Sequence, residues 1–348
     1  MNIGVLARAN RRGLHWQTME TARALGARVL VVDVPNASSA AFPTDLSAFP
    51  DAPVVEVRDG WRLPERLVRR WLEGLDVVWT AETFYDRSFC SWARAAGAVS
   101  AIHLNPEFVE PGGGWGIGTD ADAWWTATPW RLDHLPAGAQ VVPQPVALDR
   151  FAPVEPHGGP CRWLHVAGKR AGWDRNGTEA LLGALELVRR PCSVTIAVQD
   201  GQRPPEPRCP TWVDVHLVGP TEHYWELYRD HDALVLPRRY GGLCLPVGEA
   251  MAAGMAVLMP DVSPNVASWP VATFPATDVR AERMPAGMVG VSTFDPAAIA
   301  ASMDTLTDAV VRHACQAASR EWAYANAWDV QAPVWRARFA DLRARADA

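Results

Sequence analysis

At 348 residues the chain exceeds what one hydrophobic core usually serves, so about two domains are expected. Apolar residues make up 49% and charged residues 21%, which excludes a disordered or fibrous chain. The net charge of −6 gives no overall attraction to nucleic acid, and no run of about 18 uncharged apolar residues marks a membrane-spanning helix.

Strands and helices alternate along the first half. Strands are predicted near 2–7, 28–34, 53–57, 75–80, 98–103, 122–127 and 140–143, with helices near 15–25, 63–73 and 86–96. The opening MNIGVLARANRRG carries a short apolar strand rather than the longer core of a signal peptide. The loop after it is basic, with Arg8, Arg11, Arg12 and His15 around Gly13. In the segment 63–73, Leu63, Leu67 and Trp71 share a helical face beside arginines. That pattern suits a helix packed on a sheet, which is preferred over a peripheral membrane contact. A Pro- and Gly-rich linker follows at 149–160. The second half restarts with strands at 162–167, 193–198 and 213–217 and helices at 177–189 and near 222–230. The alternation is that of doubly wound α/β domains. Six cysteines (90, 161, 192, 209, 244 and 315) show no paired spacing, so neither a zinc site nor a disulfide framework is expected, and a reducing cytoplasm fits.

The most informative stretch is DALVLPRRYGGLCLPVGEAMAAGMAVLMPDVSPN, 232–265. It reads as a buried strand at 233–236, a turn at Gly241 and Gly242, a short helix and a second strand at 256–259. Pro246 suits the first turn of that helix, and Gly254 is placed to end it. A glycine turn entering a helix N-terminus leaves backbone N–H groups for an anion. Glu249 on the same helix can accept hydrogen bonds from hydroxyls. Phosphate beside a diol describes a nucleotide. A second cluster spans 166–178: a strand ending at Gly168, then Lys169, Arg170 and Arg175, then a helix near Thr178. It suits an anion too, although a solvated basic loop reads the same way.

These residues resemble the donor-binding signature of retaining glycosyltransferases with the two-domain GT-B fold, the large glycosyl transferases group 1 family. The family's E-G-F-G-L-P-x-x-E-A-M-A-x-G is matched from Gly241 through Gly254. Its second glutamate is Glu249; its first, which contacts the transferred sugar in the family, is replaced by Gly241. The neighbouring Arg238, Arg239 and Tyr240 are candidates to replace that contact. The passage 141–151 resembles the family's entry into the second domain, 122–128 one of its strands, and Trp328-Asp329-Val330 the start of a last helix that crosses back. The resemblance implies an α/β fold of two Rossmann-like domains with an interdomain cleft: 1–150 for the acceptor, 151–325 for the donor, and a helix at 326–348.

It also implies roles. Gly13, Gly168, Lys169, Arg175, Gly241, Gly242, Leu243, Cys244, Leu245 and Glu249 would bind the donor. Lys169 and Arg175 would stabilise the charge on the leaving diphosphate, Asn176 falling where the family's second cation usually sits. His103 resembles the family's strand-end histidine near the donor sugar. Arg11, Arg12, His15 and Glu82 are acceptor candidates at the crevice edge. The implied activity is transfer of a sugar from a nucleoside-diphosphate sugar to an acceptor hydroxyl, with retention and without metal. No cofactor is expected beyond that co-substrate. The acceptor would be a glycan, a small molecule or modified DNA. The alternatives are a glycosyltransferase acting on a hydroxylated DNA base, a nucleotide-binding protein that has lost catalysis, and a nucleotide-sugar epimerase.

Overall fold

The computed structural model describes the chain apart from residues 36–43, 59, 107–119, 156, 158, 169–173, 200–203, 222, 285–286 and 348. Two compact units form, one of Met1–Gln144 with Trp328–Ala348, the other of Pro145–Ala327.

In the first unit the strands are β1 (Ile3–Ala7), β2 (Arg28–Asp33), β3 (Val54–Glu56), β4 (Val77–Ala81), β5 (Val99–Leu104), β6 (Ala123–Thr126) and β7 (Gln140–Val141). They make one parallel sheet in the order β3-β2-β1-β4-β5-β6-β7. Strands β1, β4 and β5 are buried along their whole length, hence their near-continuous apolar runs. The helices are α1 (Gly13–Leu25), α2 (Glu65–Leu72), α3 (Phe89–Ala95) and, from the C-terminus, a helix at Trp328–Ala346 numbered α9 below.

Helix α2 packs on the sheet: a Cβ at Gly4 of β1 would lie 2.5 Å from Leu75 Cδ1 and 2.7 Å from Trp71 Cη2. Its buried face keeps Trp71 of the predicted one but not Leu67. Val68, Trp71 and Leu72 point inward, at the i, i+3 and i+4 spacing that shares a face, while Leu67 is 55% exposed and Leu63 is buried ahead of the helix.

In the second unit β8 (Cys161–Gly168), β9 (Cys192–Val198), β10 (Val213–Val218), β11 (Ala233–Val235), β12 (Ala256–Pro260) and β13 (Ala272–Phe274) form a parallel sheet ordered β10-β9-β8-β11-β12-β13. Its helices are α4 (Thr178–Leu185), α5 (Leu245–Ala252), α6 (Asn265–Ser268), α7 (Pro296–Thr307) and α8 (Ala309–Ala325). An antiparallel hairpin, β14 (Ala276–Met284) and β15 (Gly287–Phe294), was not anticipated, nor were α7 and α8. Asp295 and Asp308 cap those two helices, their carboxylates accepting from Ala297 N and from Val310 N and Val311 N. The helix expected near 222–230 is only a short 3-10 stretch, Tyr224–Tyr228. Gly254 does end α5, at φ +74, with the Met255 amide returning to Ala250 O.

The class is therefore α/β with two Rossmann-like units. In each sheet the order reverses beside the first strand, between β1 and β4 and between β8 and β11. Ligands of open parallel sheets bind at the carboxyl ends of strands at such points. Among the described residues no helix is long and apolar enough to cross a membrane.

Candidate functional site

Two loops meet at the reversal point of the second unit. The loop after β8 is shaped by its polar residues. Asn176 Nδ2 donates to Val166 O at 2.8 Å, and the Asp174 carboxylate accepts from the amides of Thr178 and Glu179 at 2.8 Å each. Beneath it, His165 bridges Val235 O and Thr178 Oγ1, both at 2.9 Å. The loop is tied to the segment after β11: the Arg239 amide donates to Arg175 O at 2.8 Å. Gly177 presses against that segment, since a Cβ there would stand 2.0 Å from Pro237 O, and its φ of +72 suits glycine. Gly168, Arg175, Asn176, Gly241 and Gly242 are thereby gathered at one edge. Lys169 and Arg170 lie outside the described residues.

The turn at Gly241 and Gly242 feeds α5, which starts with Pro246 in its first turn and no side-chain cap. The amides of Leu243, Cys244 and Leu245 have no acceptor among the described residues. Such amides at a helix start favour an anion. On the buried face of α5 sits Glu249, 9% exposed. Tyr224 Oη donates to its Oε1 at 3.0 Å and Tyr228 Oη to its Oε2 at 2.5 Å. Burial raises its pKa above the ordinary carboxylate value, opposed by the two tyrosine bonds and by the Arg150 charge. Each carboxylate oxygen keeps capacity for a further hydroxyl. Sequence reasoning missed both tyrosines; their spacing of four residues, Tyr224 to Tyr228, was the available signal.

Gly241, where the family motif has glutamate, has φ +121, and a Cβ there would stand 2.2 Å from Arg238 Nη2. The Arg238 guanidinium occupies that space. It is braced within the turn, Nε donating to Tyr240 O at 3.0 Å and Nη2 to Leu243 O at 2.7 Å, and is 4% exposed. Glutamate could not be placed at 241 without displacing it. Arg239 is spent on the hairpin instead, its Nη2 on Glu282 Oε1 at 3.2 Å and its Nε on Ser292 O at 3.3 Å.

In the first unit the expected residues separate. Gly13 is exposed at the start of α1. Arg11 pairs with Asp45 at 2.7 Å. His15, 2% exposed, is turned into the unit from α1. Glu82 follows β4 and accepts from Asn105 Nδ2 at 2.5 Å. His103 lies within β5 rather than beyond it, is 0% exposed, and sits among the rings of Trp79 (6.1 Å) and Trp335 (5.8 Å). Burial lowers its pKa to about 4, opposed by the Thr126 and Val142 backbone. A ring so placed offers no nitrogen to a ligand. The cause is α9, whose Trp335 and Phe339 cover this face of the sheet against Trp79 and Trp125.

Residues 163–308 match the family model described as glycosyl transferases group 1. No curated protein matches the sequence. Among solved structures, the chain is similar to a glycosyltransferase from Rickettsia africae, with 12% identity and TM-score 0.69, covering 98% of each chain. It is also similar to HepE of Anabaena in complex with UDP and glucose, with 11% identity and TM-score 0.69, covering 98% of this chain and 100% of that one. A third is sucrose-phosphate synthase from Thermosynechococcus elongatus, with 15% identity and TM-score 0.67, covering 99% and 100%. The stretch 163–308 thus resembles the glycosyl transferases group 1 family, and the two-unit α/β fold is shared with these structures.

Proposed function

We infer that the chain transfers a sugar from a nucleoside-diphosphate sugar to an acceptor hydroxyl, with retention of configuration and without a metal ion. The carrying observation is the joining of the loop at 174–178 to the glycine turn, through Arg239 N to Arg175 O and Gly177 against Pro237. It ties the backbone at Arg175 to the segment that leads through the glycine turn to the open amides of Leu243 to Leu245, at the start of the helix that carries Glu249. The match to the glycosyl transferases group 1 model covers this region, and the similar HepE binds UDP and glucose.

In this reading the diphosphate lies on those amides, with Arg175 and Lys169 as its cations. Glu249, oriented by Tyr224 and Tyr228, takes the ribose hydroxyls. Fixed donors aimed at the leaving diphosphate stabilise the charge that builds as the glycosidic bond breaks, and the leaving phosphate itself accepts the acceptor's proton. The acceptor binds to the first unit.

A second reading, nucleotide binding without transfer, is favoured by one observation: the Arg238 guanidinium fills the place of the missing glutamate. One experiment separates them. Thermal stabilisation is measured with UDP, GDP, ADP, CMP and dTDP and their sugars for wild type and Glu249→Ala. A ligand bound only to the folded state stabilises by RT ln(1 + [L]/Kd), about 2.7 kcal/mol at roughly a hundredfold excess over Kd. A shift for one nucleotide, lost in the variant, supports the donor site, and release of free sugar from that donor removes the second reading. No shift with any nucleotide removes the function.

A further inference from the structure

Arg8 follows β1 at the reversal point of the first unit and is only 7% exposed. Its backbone amide donates to Thr18 Oγ1. Its guanidinium has no acceptor and no ion pair among the described residues; its one contact is with the Tyr85 ring, 6.0 Å from the centroid. A guanidinium on so buried a side chain is costly without an acceptor, and such a charge is retained where something of opposite sign arrives to pair with it. The neighbours do not supply it. Arg12 adds a second positive charge, its own pKa lowered by burial and then by the charge of Arg8. Arg11 is taken by Asp45, and Glu82, which accepts from Asn105, forms no ion pair with Arg8. Burial raises the Tyr85 hydroxyl above its ordinary value, so that ring stays neutral.

Beside the cation is a platform. Trp61, 43% exposed, stacks on Tyr85 with centroids 6.4 Å apart and planes at 21°. Trp61, Glu82 and Tyr85 are held at φ of +55, +67 and +63, conformations that cost energy in non-glycine residues and collect at functional sites. An indole face, a half-buried carboxylate and an unpaired guanidinium are complementary to a sugar ring, a hydroxyl and an anionic substituent.

We propose that Arg8 binds an anionic group, phosphate or carboxylate, on a sugar acceptor whose ring lies against Trp61. The word acceptor rests on the transferase reading; the anion site does not. One deep guanidinium in a chain of net charge −6 suits a single small anion better than the spread of phosphates on a nucleic acid.

The test is calorimetric titration of the full chain with glucose 6-phosphate, glucuronate and glucose, for wild type, Arg8→Gln and Trp61→Ala, with UDP titrated in parallel. The acidic sugars are expected to bind wild type at least about tenfold more tightly than glucose, the scale of a charged hydrogen bond. Arg8→Gln removes that preference and leaves UDP affinity unchanged; Trp61→Ala weakens all three sugars together. Equal binding of acidic and neutral sugars to wild type overturns the proposal, as does a preference that survives Arg8→Gln. Loss of UDP affinity in Arg8→Gln with no binding of acidic sugars assigns the arginine to the donor phosphates and also overturns it. Salt-dependent binding of duplex DNA through Arg8, without binding of acidic sugars, does the same. Should Arg8→Gln not fold, Arg8→Lys keeps the charge without the fork and should reduce the preference partway. Acidic sugars binding through Arg8 where no nucleotide binds would remove the transferase function and leave the anion site standing.

Discussion

His103 makes the clearest quantitative prediction. Its ring is wholly buried among tryptophans, and burial takes its pKa from an ordinary 6.5 to about 4. The histidine is therefore neutral in the folded chain and titrates normally in the unfolded one. A lowered folded value means that its contribution to stability is present above about pH 6.5 and is lost as pH falls toward 4. At about 1.4 kcal/mol per pH unit, the full loss is about 3 kcal/mol. Between about pH 7 and pH 5 alone, proton uptake by the unfolded chain costs about 2 kcal/mol. Replacement by leucine removes both the titration and two buried nitrogens that lack well-formed hydrogen bonds. The assay is urea unfolding of wild type and His103→Leu at the two pH values. Wild type should lose about 2 kcal/mol more than the variant on acidification, while nucleotide affinity stays the same in both. Equal losses would refute the argument that this imidazole is sealed in the strand. Weakened nucleotide binding in the leucine variant would return His103 to the site.

Gly241→Ala should destabilise the second unit by about 1–3 kcal/mol, because φ is +121 and the new Cβ meets Arg238 Nη2. Gly241→Glu should be worse, and adding Arg238→Ala should recover part of the melting temperature. An alanine variant that melts like wild type would show that the turn is not locked by the arginine. Tyr228→Phe leaves a buried carboxylate oxygen short of its donor, a loss of about 1–3 kcal/mol. It also removes a bond that holds the Glu249 pKa down. Nucleotide binding that needs the ionised carboxylate weakens as pH falls through the folded pKa, and in this variant the weakening should begin at a higher pH. Binding profiles that superimpose would remove Glu249 from the ribose.

Much of this was legible in the sequence because the signals were local. Alternating apolar runs located the fully buried strands, and Pro246 and Gly254 bounded α5, since each acts within a single turn. The rest depended on contacts far apart in the chain. The environment of His103 is made by Trp335, which arrives on α9, so no reading of β5 could find it. The hairpin β14–β15 has the alternation of a two-stranded ribbon, but its anchor is Arg239 through Ser292 and Glu282. Leu67 is exposed while Trp71 packs over Gly4, a residue in another element, and that contact cannot be read from the helix alone.

Adjacent arginines illustrate why composition could not separate structure from binding. Arg11 and Arg239 are spent on Asp45 and Glu282. Arg8 and Arg238, a few positions or a single step away, form no ion pair among the described residues and are more buried than their paired neighbours. All four stand on loops that leave β1 and β11, at the two reversal points. Burying a charge costs several kcal/mol unless it is matched. Arg238 meets part of that cost with two carbonyls of its own turn; Arg8 has none. The difference makes Arg238 a brace for the turn at Gly241 and Gly242, while Arg8 keeps the open charge on which the proposed anion site rests. It also bears on Gly241, which stands where the motif of the resembling family has glutamate. With a guanidinium bracing the turn from inside, a Cβ at 241 would stand 2.2 Å from Arg238 Nη2, so glycine fits there and a glutamate would have to displace the brace.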